Sequence, residues 1–265
     1  MTSKGRGSRK SKHRESRRSE SPCGRGEAGD GDSGLTNAEA GEGGVLGSAS
    51  SASSAGSKTR KVAVARIVAA FYPKFENESA DGEVRGEMQR LVGNGVGVLE
   101  VSVKHSGSLF LWAGARRGAY AKNSYGNEYS AVGVWVLGET LRNAWGEGLV
   151  QQKQGELSDY LERHRMALGM EVVTSVLGDH GQRPVHDYVV VTAVTDMASH
   201  PPCFLSTPEV LRFCHTWRLP FNSYWLFHST ESCTQLFAAY NALSEEGTAH
   251  SVEDTLTSIA DVTIA

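Results

Sequence analysis

A lysine and a glycine three residues apart, Lys104 and Gly107 in the run VKHSGS, form the sequence feature with the clearest chemical potential. A lysine becomes a nucleophile when it is deprotonated, and burial or neighbouring cations lower its pKa. A nearby glycine lets a phosphate approach the backbone. The amine of Lys104 could therefore attack the α-phosphorus of a nucleoside triphosphate that Gly107 allows to approach, and form a phosphoramidate. The same spacing is common by chance, and taken alone it favours a solvated lysine in a turn.

Two further lysines and one glutamate carry the charges that such a reaction needs. Lys74 lies in the run PKFEN, and Lys122 lies in YAKNSYG. Together with Lys104 they would stabilise a polyphosphate and lower one another's pKa. Glu171 stands inside the apolar run MALGMEVV, where a carboxylate needs a partner or a ligand. The alternatives are a solvated loop charge for Lys122 and a salt bridge or an exposed strand face for Glu171.

A protein kinase is the first enzyme class that the sequence excludes. The glycine-rich run at 93–97, followed by Lys104, imitates the start of a kinase domain. A kinase also needs an H-R-D catalytic loop, but Met166 follows the pair His164-Arg165. The catalytic aspartate is therefore missing, and the glycine run also lacks the G-x-G-x-x-G spacing.

The composition argues for an intracellular protein without a structural metal site. The 265-residue chain has a formal net charge of -3, and no run of about twenty apolar residues could span a bilayer. Its four cysteines form no C-x-x-C pair, so they favour reduced thiols over a zinc site. These cysteines are Cys23, Cys203, Cys214 and Cys233.

The spacing of apolar residues predicts an α+β fold with one sizeable domain over residues 60–265. Helices and strands alternate irregularly, and the predicted turn at 104–107 separates two of the strands. Helices are predicted over 81–92, 127–145, 156–165, 207–216 and 231–246, and strands over 62–71, 97–103, 108–112, 166–177 and 186–194.

Residues 1–59 are predicted to be a disordered tail. They are rich in Ser, Gly, Arg and Ala and contain almost no aromatic residues, so they cannot bury enough apolar surface to offset the entropy of ordering. The basic start of this tail has three possible roles, which are contact with RNA phosphates, a nuclear address and an organelle transit peptide. A solvated tail with no specific role is the alternative.

Several long stretches around the Lys104 motif resemble the ligase domain of plant-type tRNA ligases. They are FYPKFENE at 71–78, GAYAKNSYGNEY at 118–129 and the run at 166–194, in this order around KHSGSLF. The resemblance covers residues 61–265, and the group is itself similar to the phage RNA ligases. It implies a covalent nucleotidyltransferase fold, with antiparallel sheets and flanking helices.

The resemblance implies a role for each matching residue. Lys104 matches the motif I lysine that accepts AMP, and Gly107 matches the glycine of that motif. Glu171 matches the motif III acid, which contacts the ribose or a metal-bound water. Lys74 matches a lysine that contacts the ATP phosphates, and Lys122 matches one that holds a phosphate or the RNA end. Phe75 is implied in nucleotide binding, although Glu76 replaces the second aromatic residue of the corresponding phage segment. Tyr188 is implied near the adenine. From its strand alone, Tyr188 fits ordinary core equally well.

Two motifs of this superfamily are absent from the sequence. Motif IV is an E-G at a strand start, but the pair Glu246-Gly247 falls at the end of a predicted helix. Motif V is a K-x-K pair, and none follows. The expectation is a partial adenylyltransferase domain, incomplete at its C-terminus, that adenylylates itself poorly while the full-length parent is active. Removing one preorganised donor from an active site costs roughly 100- to 1000-fold in rate.

The predicted function is that of an ATP-dependent RNA ligase that acts in tRNA splicing. The resemblance implies ATP and Mg²⁺ as cofactors and tRNA halves as the RNA partner. The expected location is the nucleus or the cytoplasm, and the plastid is an alternative. One alternative is a non-catalytic RNA-binding or ligase-interacting module that retains only the fold. A third reading is another nucleotidyltransferase, such as a DNA ligase or a capping enzyme.

Overall fold

The computed structural model describes residues 66–72, 82–122, 124–178, 184–246 and 249–264. Within these residues the chain forms two antiparallel sheets and six helices, so the predicted mixture of helices and antiparallel sheets is confirmed. The helices are α1 Gly82–Gly93, α2 Glu128–Trp145, α3 Val150–His164, α4 Thr207–Trp217, α5 Thr230–Glu246 and α6 Ala249–Ile259. The strands are β1 Leu99–Ser102, β2 Ser108–Trp112, β3 Ala119–Ala121, β4 Ser124–Tyr125, β5 Met166–Val173, β6 Tyr188–Asp196, β7 Cys203–Phe204, β8 Tyr224–Phe227 and β9 Val262–Ile264.

The larger sheet has six strands in the order β4-β3-β2-β5-β6-β7. Side chains alternate between its two faces, as the period of a strand requires. Phe110 on β2 and Met170 and Val172 on β5 are buried in the main core. Glu171, which lies between these two residues of β5, therefore points to the opposite face.

Helices α2 and α3 cover the apolar face of this sheet. Leu137 and Leu141 of α2 and Leu157 and Leu161 of α3 are fully buried against it. The helix α2 begins where Asn127 accepts a hydrogen bond from the backbone N–H of Ser130, at 3.1 Å. This cap satisfies one of the backbone donors that a helix N-terminus leaves unpaired.

The smaller sheet has three strands in the order β1-β8-β9 and a core of its own. Trp225 and Phe227 of β8 pack against Leu236 of α5 and Leu256 of α6.

Asp261, just before β9, ties this sheet to the start of α5. Its carboxylate accepts hydrogen bonds from the Ser232 hydroxyl at 2.6 Å and from the backbone N–H of His228 at 2.7 Å. These donors lower the pKa of Asp261 to about 2.

Two segments cross from one sheet to the other. Residues 103–107 connect β1 of the smaller sheet to β2 of the larger one. Residues 218–223 lead from α4 to β8, and within them Phe221 forms a bridge with Val191 of β6. The Asn222 side chain donates to the carbonyl of Val103 at 2.7 Å, so the two crossing segments are joined.

The predicted strand at 62–71 is wrong over residues 66–71, and 62–65 lie outside the described residues. Residues 68–70 instead pack as a non-strand segment against the core of Ala113, Ala167 and Met197. Arg117 donates to the carbonyl of Val68 at 2.6 Å, a bond made by a side chain rather than by a neighbouring strand.

Other expectations differ from the structure in smaller ways. Helix α3 begins at Val150 rather than at 156, and β5 ends at Val173 rather than at 177. Cys203, Cys214 and Cys233 form no disulfide among the described residues, and Cys214 and Cys233 are buried. The tail predicted over residues 1–59 lies outside the described residues.

None of the helices in the described part of the chain is both long and apolar enough to cross a membrane.

Candidate functional site

A cavity of about 1130 Å³ lies beside the crossing segments. Its walls come from both sheets, from α4 and from the segment that ends at Tyr72. Four of the residues singled out in the sequence line it, and they come from the segment 103–107, from the end of β3 and from β5. They are Lys104, Gly107, Lys122 and Glu171.

The remaining predicted residues are not brought into this cavity by the described structure. Lys74 and Phe75 lie outside the described residues. Tyr188, at the start of β6, is half-buried and is not part of the cavity lining, but its hydroxyl contacts His105. The side chains of Lys104 and Lys122 are both exposed at the cavity.

Glu171 holds the turn that follows Lys104. The strand register places Glu171 opposite Leu109, next to this turn. Its carboxylate accepts a hydrogen bond from the backbone N–H of Gly107 at 3.0 Å. The carboxylate expected to need a partner in an apolar strand therefore has one.

Gly107 is required because the turn lies against β5. A Cβ atom at this position would lie 2.2 Å from the carbonyl oxygen of Val172 and 2.9 Å from its carbonyl carbon. Those two atoms belong to a strand that is hydrogen-bonded on both sides, so they cannot move freely. Only a residue without a side chain fits this close approach.

Three side chains that the sequence motifs did not single out line the same cavity as Lys104. His105 Nδ1 lies 3.2 Å from the hydroxyl of Tyr188, and His105 Nε2 lies 3.3 Å from Asn222 Oδ1. The rings of His105 and Tyr188 meet edge to face, with centroids 5.7 Å apart. Asn222 is 7% exposed and also lines the cavity. Tyr72 is the third such residue.

The negative charge of Glu171 acts on two tyrosines near this turn. Burial raises the pKa of Tyr188, and the Glu171 charge raises it further. Burial is also the largest cause of the raised pKa of Tyr72, to which Glu171 adds. Both phenols therefore stay protonated at neutral pH and can donate hydrogen bonds.

Part of the cavity lining is apolar and aromatic. Phe71, Phe204, Leu205 and Val210 contribute to it. Such residues, combined with a few polar groups, are typical of small-molecule sites. They are suited to a flat aromatic ring, and the lysines of the same lining are suited to phosphates.

The start of α2 also lines the cavity, whose charged lining residues are Lys104, Lys122, Glu100 and Glu171. Asn127 and Tyr129, at the start of α2, line the cavity together with Lys122. The N-terminus of a helix carries a partial positive charge and favours anions. The arrangement can therefore hold a polyphosphate next to the Lys104 amine.

The chain matches tRNA ligase 1 of Arabidopsis thaliana, with 55% identity over 200 residues. The chain is related to the plant-type tRNA ligases. The predicted resemblance is thus confirmed. The match takes in 76% of this chain but 18% of that ligase, so the chain spans less than a fifth of the length of this relative. No protein-family model matches the chain.

In this relative of the tRNA ligases, no sequence motif indicated that Asn222 or Tyr72 lines the cavity. His105 adjoins Lys104, but its partners are 83 and 117 positions away along the chain. Only folding brings these groups together. A motif-based interpretation therefore finds the nucleophile candidate and not the side chains that surround it.

Proposed function

We propose that this chain is part of the adenylyltransferase domain of an ATP-dependent RNA ligase, with Lys104 as the residue that carries AMP. The observation that carries the proposal is the shared cavity of Lys104, Gly107, Lys122 and Glu171. The 55% identity between this chain and a segment of tRNA ligase 1 also supports the proposal. The fold that we infer is the antiparallel nucleotidyltransferase fold, over residues 60–265.

In the proposed first step, the deprotonated Nζ of Lys104 attacks the α-phosphorus of ATP. A nitrogen–phosphorus bond forms, the bond to the bridging oxygen breaks, and pyrophosphate leaves with that electron pair. The proton of the amine passes to solvent. The product is a lysyl-AMP phosphoramidate, a covalent intermediate of the kind that divides one difficult step into two easier ones.

The remaining site residues have separate proposed roles. Lys122 and the start of α2 stabilise the phosphates, and we assign Lys74 to the same role. Glu171 fixes the Gly107 turn and reaches the ribose side of the nucleotide. The adenine contacts the apolar residues of the lining, and Tyr188 acts next to it through His105. We also assign Phe75 to nucleotide binding.

Magnesium is the metal that this proposal includes. Among the described residues, no group of three or more His, Cys, Asp and Glu side chains could hold a metal ion by itself. Mg²⁺ is usually bound through one or two carboxylates together with substrate phosphates, and Glu171 in the cavity fits that pattern. When bound, the ion would neutralise charge on the departing pyrophosphate.

The acceptor that we propose is RNA, in the form of tRNA halves. AMP would pass from Lys104 to an RNA 5′-phosphate, and a 3′-hydroxyl would then displace AMP and join the ends. This step is inferred from the relationship to tRNA ligase 1. The joining of nicked RNA, compared with nicked DNA, distinguishes it from the reaction of a DNA ligase.

The test is the transfer of label from α-labelled ATP to the denatured protein, in the presence of magnesium. We expect acid-labile label that disappears in Lys104→Arg, which keeps the positive charge but removes the nucleophile. Lys153→Ala is the matched control, because Lys153 lies on α3 in contact with Glu156 and does not line the cavity. Peptide mass spectrometry should place AMP on Lys104.

A second measurement does not depend on the chemical step. A ligand that binds only the folded state raises the unfolding temperature, and the rise grows with the ratio of the ligand concentration to its dissociation constant. We expect ATP to stabilise the wild-type chain and to stabilise Lys104→Glu less. Absence of both label and ATP-dependent stabilisation would refute the proposal.

The alternative function is a non-catalytic RNA-binding or ligase-interacting module. The exposure of the Lys104 and Lys122 side chains is the observation that favours it. RNA binding that persists unchanged in Lys104→Arg, without any covalent label, would support this alternative.

A further inference from the structure

We propose that His105 is a positioning residue that fixes the orientation of the neighbouring Lys104 amine through Tyr188 and Asn222. This inference rests on the proposed function and deepens it, because it names groups that prepare the nucleophile. The contacts that carry it are the two hydrogen bonds of the imidazole ring, at 3.2 and 3.3 Å.

The hydrogen-bond pattern determines the tautomer of His105. Asn222 uses its Nδ2 to donate to the carbonyl of Val103, so its Oδ1 faces His105 as an acceptor. His105 Nε2 must therefore carry a hydrogen. In the neutral ring, Nδ1 is then an acceptor, and it receives the hydroxyl hydrogen of Tyr188.

This assignment leaves no nitrogen of His105 for general base catalysis. The Nδ1 lone pair accepts from Tyr188, and Nε2 already holds its hydrogen towards Asn222. A histidine whose two ring nitrogens are engaged in this way holds a fixed orientation. Its effect on the reaction must then pass through the backbone that it shares with Lys104.

The Lys104 segment needs such support because it belongs to neither sheet. Residues 103–107 connect β1 to β2 and have no strand partner in the described structure. Tyr188 belongs to the larger sheet, and Asn222 precedes β8 of the smaller one. His105 is thus held by the larger sheet and by the crossing segment 218–223, and this limits the rotation available to the adjacent Cα atom.

The test compares variants of His105 in the rate of lysyl-AMP formation and in the ATP concentration that gives half the maximal rate. A displacement of about 1 Å in a reacting group can reduce the rate about 100-fold. We expect His105→Ala to lower the rate at saturating ATP by about 10- to 100-fold, with the half-saturating concentration changed by less than about threefold. His105→Gln should restore most of the rate, because its amide nitrogen can donate to Asn222 while its oxygen accepts from Tyr188.

Two controls separate positioning from a structural effect. His200→Ala, at an exposed position outside the cavity lining, should keep the wild-type rate. Circular dichroism and urea unfolding check that each variant folds. If His105→Ala does not fold, the comparison of His105→Gln with Asn222→Ala replaces it, with the loss expected in the second variant.

Nitrogen NMR of the ¹⁵N-labelled wild-type protein tests the hydrogen-bond network without any turnover. The signals of His105 are identified as those that the wild type shows and His105→Gln lacks. Their chemical shifts should correspond to the tautomer with hydrogen on Nε2. A hydrogen on Nδ1, or a rate for folded His105→Ala within twofold of the wild type, would overturn the inference and leave the proposed function intact. A wild-type protein that takes no label and gains no stability from ATP would refute the proposed function, and the positioning role with it.

Discussion

The substitution Gly107→Ala tests the close approach between the Lys104 turn and strand β5. The added Cβ would begin 2.2 Å from the carbonyl oxygen of Val172, whereas real Cβ contacts are essentially never shorter than 3.0 Å. The gap must therefore open by at least 0.8 Å, from 2.2 to 3.0 Å. If the turn makes this movement, the bond from Gly107 N to Glu171 lengthens from 3.0 to about 3.8 Å, beyond hydrogen-bonding distance.

Two costs follow from this displacement. Overpacking in a well-packed region costs about 1–3 kcal/mol. Leaving a half-buried hydrogen-bonding group unpaired costs about 1–3 kcal/mol. The two costs add up to about 2–6 kcal/mol, and because the movement relieves part of the overlap, we expect a loss of about 2–4 kcal/mol in the free energy of unfolding. For a domain of this size that corresponds to a fall of roughly 4–16 °C in the unfolding temperature.

Urea unfolding followed by circular dichroism measures this loss. Gly97→Ala is the matched control, because a Cβ at Gly97 would meet nothing within 4 Å. Its free energy of unfolding should stay within about 0.5 kcal/mol of the wild type, as for most surface substitutions. A similar small change in Gly107→Ala would show that the turn adjusts freely, and it would refute the reasoning about the close approach.

Three further predictions concern the core, pH and the thiols. Gly133→Ala should destabilise the fold by about 1–3 kcal/mol in urea unfolding, since its Cβ would lie 2.4 Å from the buried Phe110 ring. Gly138→Ala on the same helix is the control, and it should stabilise the fold by up to about 1 kcal/mol because its Cβ would meet nothing within 4 Å. Asp261 has a pKa of about 2, below its ordinary 3.8, so its ionised form stabilises the fold above pH about 4 and this contribution is lost as the pH falls towards 2. The urea concentration at the midpoint of unfolding should therefore change less between about pH 4 and pH 2 in Asp261→Asn than in the wild type. Burial raises the pKa of Cys214 to about 12, so mass spectrometry should find it unmodified by iodoacetamide at pH 8 until urea is added.

The longer elements could be predicted from the sequence because their apolar periodicity is clear. Strand β2 has the predicted bounds at 108–112, and helix α2 begins one residue later than predicted. Short strands such as β4 and β7 have two residues each, which is too few to show a period of two. The segment at 66–72 is apolar like a strand, but its backbone is held by a side chain from a distant turn.

The candidate site was predictable in part. The resemblance to the tRNA ligases selected Lys104, Gly107, Lys122 and Glu171, and these residues do line one cavity. Their assigned chemical roles stay predictions. Tyr188 is absent from the cavity lining, and its hydroxyl contacts His105, which does line the cavity, so its assignment to the nucleotide also stays a prediction. Such pairings depend on tertiary register, which a local motif does not encode.

The crossing of residues 103–107 between the sheets has a consequence for fragments of the protein. The three partners that hold this segment come from positions 64, 83 and 117 residues further along the chain. A synthetic peptide with the K-x-x-G sequence would contain none of them, and a fragment that ended before Asn222 would lose the link to Val103. Proteolytic pieces shorter than this span should therefore lose the alignment of the amine even where they keep the lysine itself.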